Sequence, residues 1–261
     1  MSRIEEFYDE FSDYLIQDYI IVNPRHQKIR SFLKKEFFFH KHQSVLELGC
    51  GAGVLTGFFL KRKTRVTAVD ISGKNIRVAR AIHGKGPFLQ GDILKLDLGQ
   101  SYDFIALFDV IEHIPEDRLK DLISVIESHT HESSRLALTF PYPLYTDYLK
   151  ENKPELLQVV DETVSIGGII RRLGEIGFTL ESFDLFGTRW TNQYSLMVLE
   201  RSGHFSPRPH RYYGPLPVRI LKKGGAMLKT YHIRLAFMRL AGKIKKRMIK
   251  KKLQKEGISL Q

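Results

Sequence analysis

A strand followed by a glycine-rich loop is the part of this sequence best suited to hold a ligand. The loop spans Glu47–Gly53, has glycine at every second position from Gly49, and closes the apolar run 44–48. Glycines let the backbone turn sharply and approach a ligand where a Cβ would clash. Asp70 ends the next predicted strand, where an acid can accept hydrogen bonds from both ribose hydroxyls of a nucleoside. The spacing therefore predicts a site for a nucleoside-containing cofactor.

A nicotinamide or flavin dinucleotide fold shares this layout and is the main alternative. Its fingerprint needs Gly or Ala at the sixth position of G-x-G-x-x-G, because a small residue there permits close helix–strand packing around a pyrophosphate. Counted from Gly49 that position is Val54, and counted from Gly51 it is Thr56. The loop therefore argues against a dinucleotide.

A second group of polar residues follows the fourth predicted strand. If Phe108 ends that strand, Asp109, Glu112 and His113 lie at the carboxyl edge of the sheet, where ligands bind in open α/β folds. An unperturbed imidazole titrates near pH ~6.5, so His113 is a candidate base for a substrate hydroxyl. The alternative for His113 is a structural role in fixing the loop, and the sequence leaves both open. Asp109 is the second candidate catalytic residue.

Alternating strand and helix patterns surround these residues. Apolar runs predict strands over 44–48, 65–69, 87–90, 104–108, 135–140, 178–186 and 193–200, and periodic segments predict helices over 54–60, 73–83, from 115, and over 168–176. The last two strands have no helix between them, which indicates an antiparallel finish. We expect an α/β fold with a doubly wound, mostly parallel seven-stranded sheet, helices on both faces and an antiparallel last strand.

The charge distribution divides the chain into a body and a tail. The net charge is +12, yet residues 201–261 hold 17 Lys and Arg and a single acid, Glu256, so the remainder is slightly acidic. We predict an N-terminal helical lid over 1–43, interrupted at Asn23-Pro24, a ligand-binding domain over 44–200, and a Pro-containing linker with a basic amphipathic tail over 201–261.

The tail has the pattern of a binding helix. The sequence leaves three interpretations of what it binds open. A basic helix with an apolar stripe suits an anionic membrane surface, here through residues 218–255. Its charges also suit RNA phosphates, and the stripe could instead dock on the body. The stripe residues are Leu228, Tyr231, Leu235, Met238, Ile244, Met248 and Leu253.

Several bulk features bear on where the protein works. The single cysteine, Cys50, excludes an internal disulfide, the acidic N-terminus lacks the apolar stretch of a secretory signal, and no uncharged apolar run approaches the ~20 residues that span a bilayer. These features predict a cytoplasmic protein, and the basic tail adds the expectation that it is peripheral on the inner face of the membrane.

The motifs stand in the order typical of a known family. Over about residues 20–200 the sequence resembles the class I S-adenosylmethionine-dependent methyltransferases, and is most similar to the small-molecule O-methyltransferases of the ubiquinone-biosynthesis type. Asn23-Pro24-Arg25-His26 is similar to a family Asn-Pro-x-Arg segment whose arginine meets the cofactor carboxylate, with the arginine one position early and His26 in the family place. The resemblance implies S-adenosylmethionine-binding roles for Arg25, Glu47, Gly49, Cys50, Gly51, Gly53, Asp70, Ile71, Asp92, Ile93 and Phe108.

The resemblance also implies the reaction. We expect methyl transfer from S-adenosylmethionine to a hydroxyl of a small, lipid-linked or sugar-containing metabolite, since the Asn-Pro-Pro-Tyr signature of many amino-methylating enzymes is absent after the fourth strand. The alternatives are an RNA-modifying methyltransferase that uses the basic tail, and a non-catalytic protein on the same fold. Asp109, Glu112 and His113 resemble a metal-binding set that suits Mg²⁺, but three ligands on one short segment are weak evidence, and we predict no metal site.

Overall fold

The computed structural model describes residues 3–20, 23–37, 39, 42–84, 86–158, 161–202 and 243–258. The linker over 201–217 is therefore outside the described residues except for Arg201 and Ser202, and so are Leu228, Tyr231, Leu235 and Met238 of the predicted stripe. Among the described residues, no helix is long and apolar enough to cross a membrane.

Seven strands form one sheet, in the order β3-β2-β1-β4-β5-β7-β6. The strands are β1 Ser44–Leu48, β2 Arg65–Asp70, β3 Phe88–Gln90, β4 Tyr102–Phe108, β5 Thr130–Pro141, β6 Phe178–Phe186 and β7 Tyr194–Arg201. β1 to β5 pair in parallel, while β7 runs antiparallel to both β5 and β6. The predicted fold class, with its antiparallel last strand, is confirmed.

Helices cover both faces of this sheet. They are α1 Arg3–Ile20, α2 Pro24–Glu36, α3 Thr56–Leu60, α4 Gly73–His83, α5 Leu119–Ser128, α6 Pro143–Asn152, α7 Ile166–Glu175 and α8 over 243–255, with short 3-10 turns at Ile111–His113, Glu116–Arg118 and Pro154–Leu156. One face packs α5 and α7 against the sheet in the larger apolar core, and the other packs α2 and α3. Two layers of helix around a central sheet bury both of its faces.

The N-terminal lid divides where its sequence indicates. The Asn23 side chain accepts a hydrogen bond from the Arg25 amide, 2.8 Å away, and Pro24 occupies the first position of α2. A side-chain cap followed by proline is a strong helix start, so α1 and α2 are separate helices.

Some elements differ from the prediction. β5 begins five residues before the predicted start, and α6 follows it directly, although Pro141 and Pro143 had suggested only a strand end. Pro143 lies in the first turn of α6, where its missing N–H costs nothing. The helix predicted from residue 54 begins at Thr56, since the two preceding residues remain in the turn of the glycine loop.

The parallel register brings the predicted site residues to one edge. Leu48 of β1 pairs with Val69 of β2 and with Leu107 of β4. The residues that follow these positions therefore emerge together at the carboxyl edge of the sheet.

Candidate active site

The glycine loop wraps the end of β1 in a conformation that only glycine adopts easily. Gly49, Gly51 and Gly53 all have positive φ, at +74°, +51° and +77°. A Cβ on Gly49 would lie 2.4 Å from Cγ2 of Val110, so space as well as φ requires glycine there. The loop is thereby held close to the residues that follow β4.

Asp70 is tied to this loop. One carboxylate oxygen accepts a hydrogen bond from the Gly51 amide at 2.7 Å, and the other accepts from the Ser72 amide at 2.9 Å and the Asn75 side chain at 3.2 Å. Burial raises the pKa of Asp70, and these three donors oppose the rise. The ribose role of Asp70 stays a prediction, and the structure places its carboxylate directly beside the loop.

Glu47 and Cys50 are buried beneath the loop. The Thr56 hydroxyl donates to Glu47 at 2.5 Å, and burial raises the pKa of Glu47 to about 8. Burial also raises the pKa of the Cys50 thiol well above its usual value. Glu47 therefore keeps its proton at neutral pH, while Cys50 behaves as a small apolar residue.

Asp109 adopts a positive φ of +58° at the end of β4 and pairs with the lid. Its carboxylate lies 3.0 Å from Nε of Arg25, and the Thr139 hydroxyl donates to it at 3.0 Å. Arg25 also lies over the ring of Tyr194, 5.2 Å from its centroid. Asp109 thus holds the start of α2 against the sheet edge, a contact that the sequence did not indicate.

His26, which occupies the family arginine position, is largely buried beside Arg25. Burial, reinforced by the neighbouring Arg25 charge, lowers the pKa of His26 to about 4. A neutral imidazole at ordinary pH is a poor partner for a cofactor carboxylate, so of the two residues only Arg25 carries the charge which that role requires.

His113 lies on the 3-10 turn after β4 and has a carboxylate partner distant in sequence. Its Nδ1 is 3.0 Å from Oδ1 of Asp161, and its Nε2 is 3.9 Å from Oε1 of Glu112. Glu112 is buried, its Oε2 has no hydrogen-bond partner in the described structure, and burial raises its pKa to about 8. Sequence reasoning missed Asp161, which lies between two predicted elements and carries no motif.

The lid helix α1 covers this edge. The Tyr8 ring contacts His113 edge to face, 6.1 Å between centroids, and burial with the nearby charges of Glu112 and Asp70 raises the pKa of Tyr8 well above its usual range. The Asp9 carboxylate accepts from the Ser72 hydroxyl and from the Lys74 amide at the start of α4. Tyr8 therefore lies between the glycine-loop side and the His113 side of the site.

The remaining predicted cofactor residues lie around the edge in mainly structural contacts. Asp92 accepts from the Leu94 amide at 2.9 Å, and Ile93 packs against the larger core. Phe108 is buried in the core of the opposite face, and the Ile71 carbonyl accepts from the Gln90 side chain at 3.4 Å. Their cofactor roles stay predictions.

An aromatic wall borders the site on the far side. Tyr145 of α6 lies 6.3 Å from Trp190 and 6.4 Å from Tyr194, between ring centroids. Gln193 builds the turn that carries Trp190, because its side-chain oxygen accepts from the amides of Thr188, Arg189 and Trp190 at 2.9–3.1 Å. Half of Trp190 stays exposed, which leaves an apolar surface open beside the site.

Metal ligands do not cluster in the described part of the chain. It contains no group of three or more His, Cys, Asp and Glu side chains placed to hold a metal ion. Asp109, which would be one ligand of the family set, is instead paired with Arg25.

Comparison with known proteins gives a domain match and several relatives. Residues 45–132 match a family model described as a methyltransferase domain. A ubiquinone biosynthesis O-methyltransferase from Klebsiella pneumoniae is 22% identical over 63% of this chain and 66% of its own length. A malonyl-[acyl-carrier protein] O-methyltransferase from Priestia megaterium is 36% identical over 26% of each chain. The chain thus spans less than two thirds of the length of these relatives.

Solved structures show the same fold. Magnesium protoporphyrin IX methyltransferase from Synechocystis PCC 6803, with bound SAH, superposes with a TM-score of 0.62 at 21% identity, covering 76% of this chain and 98% of that one. The glycopeptide N-methyltransferase MtfA, in complex with S-adenosylmethionine, gives 0.52 at 17% identity over 67% and 92% of the two chains.

The sheet order and the glycine loop are those of the class I methyltransferase fold, and residues 45–132 match a methyltransferase domain. The chain is therefore similar to the S-adenosylmethionine-dependent methyltransferases, in line with its motifs.

Proposed function

We propose that the protein transfers a methyl group from S-adenosylmethionine to a hydroxyl group of a small metabolite. The main support for a hydroxyl acceptor is the pair formed by His113 and Asp161, which lie 3.0 Å apart at the carboxyl edge of the sheet. Abstraction of a hydroxyl proton calls for an imidazole held in one tautomer, and a carboxylate on Nδ1 does this.

The residues present fit the cofactor. Three glycines at positive φ form a loop whose backbone a ligand can approach closely. The Gly51 amide, in the middle of this loop, donates a hydrogen bond to Asp70. The buried Glu112 Oε2 has no hydrogen-bond partner in the described structure, and a polar ligand group would satisfy it. Bound S-adenosylmethionine supplies a methyl group already activated on a positively charged sulfur.

The chain's own residues then handle the acceptor proton. Asp161 accepts the hydrogen bond from Nδ1–H of His113, which leaves Nε2 as the nitrogen that takes up the proton. Glu112 lies 3.9 Å from that nitrogen, so an imidazolium formed there favours the ionised form of the buried Glu112 carboxyl. Asp109, predicted as catalytic, acts here by positioning Arg25, since its carboxylate faces the guanidinium and the Thr139 hydroxyl.

The acceptor is a small molecule with an apolar or planar part. The relatives matched include several named as O-methyltransferases. In the aromatic wall of Tyr145, Trp190 and Tyr194, the half-exposed Trp190 offers an apolar surface. We considered lipid-linked and sugar-containing acceptors. Of these, a lipid-linked acceptor suits this wall better than a purely polar sugar does.

Two measurements test the proposal. Calorimetry with S-adenosylhomocysteine on the full chain should show binding, and its absence at millimolar concentration would contradict the cofactor assignment. Methyl transfer from labelled cofactor into fractionated cell extract should label the lipid or soluble small-molecule fraction. Label confined to RNA would contradict the proposed acceptor class.

A matched pair of variants isolates the base. His113→Gln should lose about 10²–10⁴-fold in kcat and keep cofactor binding, as for loss of a general base. His131→Gln is the control, because His131 also pairs with an aspartate, Asp103, at 3.2 Å but lies at the opposite edge of the sheet. Equal activity of the two variants would contradict the role of His113.

A further inference from the structure

Helix α8, over 243–255, has one face fixed to the body of the protein. Ile249 and Leu253 are buried in a cluster with Ile16 and Ile20 of α1, together with residues of α4 and Ala52 of the glycine loop. The docked-helix alternative for the tail therefore holds for this part of it. The predicted stripe is corrected, because Ile244 and Met248 do not join Leu253 in the contact and Ile249 does.

Two lysines anchor the same face. Lys245 donates to the Tyr19 carbonyl at 2.7 Å, and Lys252 donates to the Ile82 carbonyl at 2.8 Å. These carbonyls lie in the last turns of α1 and α4, where helices leave carbonyls unpaired and favour positive charge. Apolar contact and two such bonds fix the rotation of α8, and with it the face that points outward.

The outward face combines positive charge with exposed apolar side chains. Ile244 and Met248 are one turn apart and are 52% and 58% exposed. At 100° per residue they share a face with Arg247, Lys251 and Lys255, all exposed. We call these five residues the outer strip. The one acidic residue between 243 and 258 is Glu256, at the end of the helix.

We propose that the outer strip binds the surface of an anionic phospholipid bilayer. Each basic residue near such a surface strengthens binding about fivefold, and Ile244 and Met248 can enter the headgroup region while the lysines stay at the phosphates. An RNA backbone would use the charges but give the two apolar side chains no favourable contact, and the strip has no aromatic ring on which a base could stack. The combination therefore favours a bilayer.

Binding there would place the methyltransferase site at the membrane. The inner face of α8 packs on α1, and α1 carries Tyr8 over the His113 edge. The bilayer-facing helix and the lid are thus neighbours, which suits an acceptor drawn from the lipid phase. Vesicle binding needs neither cofactor nor acceptor. Membrane binding can therefore fail while the proposed reaction stands, and the proposed reaction can fail while membrane binding stands.

The test is cosedimentation of the full chain with phosphatidylcholine vesicles, with and without phosphatidylserine. We expect binding only to the anionic vesicles, with a loss of at least tenfold in Arg247→Glu/Lys251→Glu. The charge-matched control is Lys34→Glu/Lys120→Glu, exposed lysines on α2 and α5, which should lose far less.

A second variant separates a bilayer from other polyanions. Ile244→Ser/Met248→Ser keeps every charge and the buried face of α8, so it should fold as the wild type does and weaken vesicle binding several-fold. Unchanged vesicle binding in both outer-strip variants would overturn the proposal. A second result would also overturn it: the wild-type chain does not bind vesicles but binds RNA tightly, and Ile244→Ser/Met248→Ser binds RNA equally well.

Discussion

Nδ1 of His113 lies 3.0 Å from Oδ1 of Asp161, although the two residues come from separate segments of the chain. His113 follows β4 and Asp161 precedes α7, and a backbone hydrogen bond of 2.8 Å from the Glu162 amide to the Glu112 carbonyl holds the two segments together. The pair is thus built by the backbone as well as by the side chains, and it directs Nδ1 of the imidazole towards Asp161.

The first prediction concerns Asp161. Asp161→Asn should lower kcat about 10²-fold and leave cofactor affinity unchanged, because the amide no longer fixes the tautomer of His113. NMR of the His113 ring should show the altered tautomer without any substrate, a readout that a merely structural role would not move. Asp161→Glu should recover part of the activity. A wild-type tautomer in Asp161→Asn would refute the positioning role.

The second prediction concerns Gly49. Gly49→Ala should abolish measurable cofactor binding and destabilise the fold by about 2–4 kcal/mol, since a Cβ would meet Val110 at 2.4 Å and the residue has positive φ. Gly91→Ala is the control, because its Cβ would lie at an ordinary 3.7 Å from Val69. Chemical denaturation measures the loss of stability, and calorimetry measures the loss of cofactor binding. A Gly49→Ala protein that binds the cofactor normally would refute the role of the glycine loop in binding.

The third prediction concerns the pH dependence of stability through Glu47. Its pKa is about 8 in the folded protein against an ordinary 4.5, so between these values the folded state keeps a proton that the unfolded state has released. The free energy of unfolding should therefore fall as pH rises, by up to about 1.4 kcal/mol per pH unit for this group.

The window from pH 6.5 to 8 separates this effect from that of the buried histidines. His26 and His83, whose pKa values burial lowers to about 4, act in the opposite direction only below pH 6.5. Glu112 should contribute a second, similar slope in the window. In denaturation series, Glu47→Gln should remove the Glu47 share of the slope and leave the Glu112 share, whereas the exposed Glu127→Gln should leave the whole slope unchanged. Equal slopes in the wild type and both variants would contradict the assignment.

The fourth prediction concerns the turn built by Gln193. Gln193→Leu removes the oxygen that accepts from the Thr188, Arg189 and Trp190 amides and should loosen the turn. Trp190 is the single tryptophan, so acrylamide quenching of its fluorescence should increase. Gln193→Glu keeps the accepting oxygen and should retain the wild-type quenching. Identical quenching in Gln193→Leu would show that the turn does not depend on this side chain.

The fifth prediction concerns the support that α8 gives the lid. Leu253 is fully buried against α1, so Leu253→Ala should weaken the docking by about 2–5 kcal/mol and speed hydrogen exchange of the α1 amides. Met248→Ala, on the exposed side of the same helix, is the control. Unchanged exchange in Leu253→Ala would show that α1 is held by its other contacts.

The sequence by itself determined the sheet and the glycine loop. Local patterns carry this information, because strands and helices differ in apolar period and because a loop at positive φ selects glycine. The apolar residues of α4 and α5 recur at helical spacing and face the core, with Ile76 and Leu122 among the buried residues. The strand ends also indicated correctly that Gly49, Asp70 and Asp109 would share one edge.

Only the tertiary structure decided which side chains meet there. Asp161 joins His113, Arg25 pairs with Asp109, and Tyr8 lies over both sides of the edge. The same holds for α8, whose sequence allowed more than one buried face until contact with α1 and α4 selected Ile249 and Leu253. Such contacts join residues far apart in the chain, and no local propensity records them, because they arise when the sheet brings the ends of its strands together.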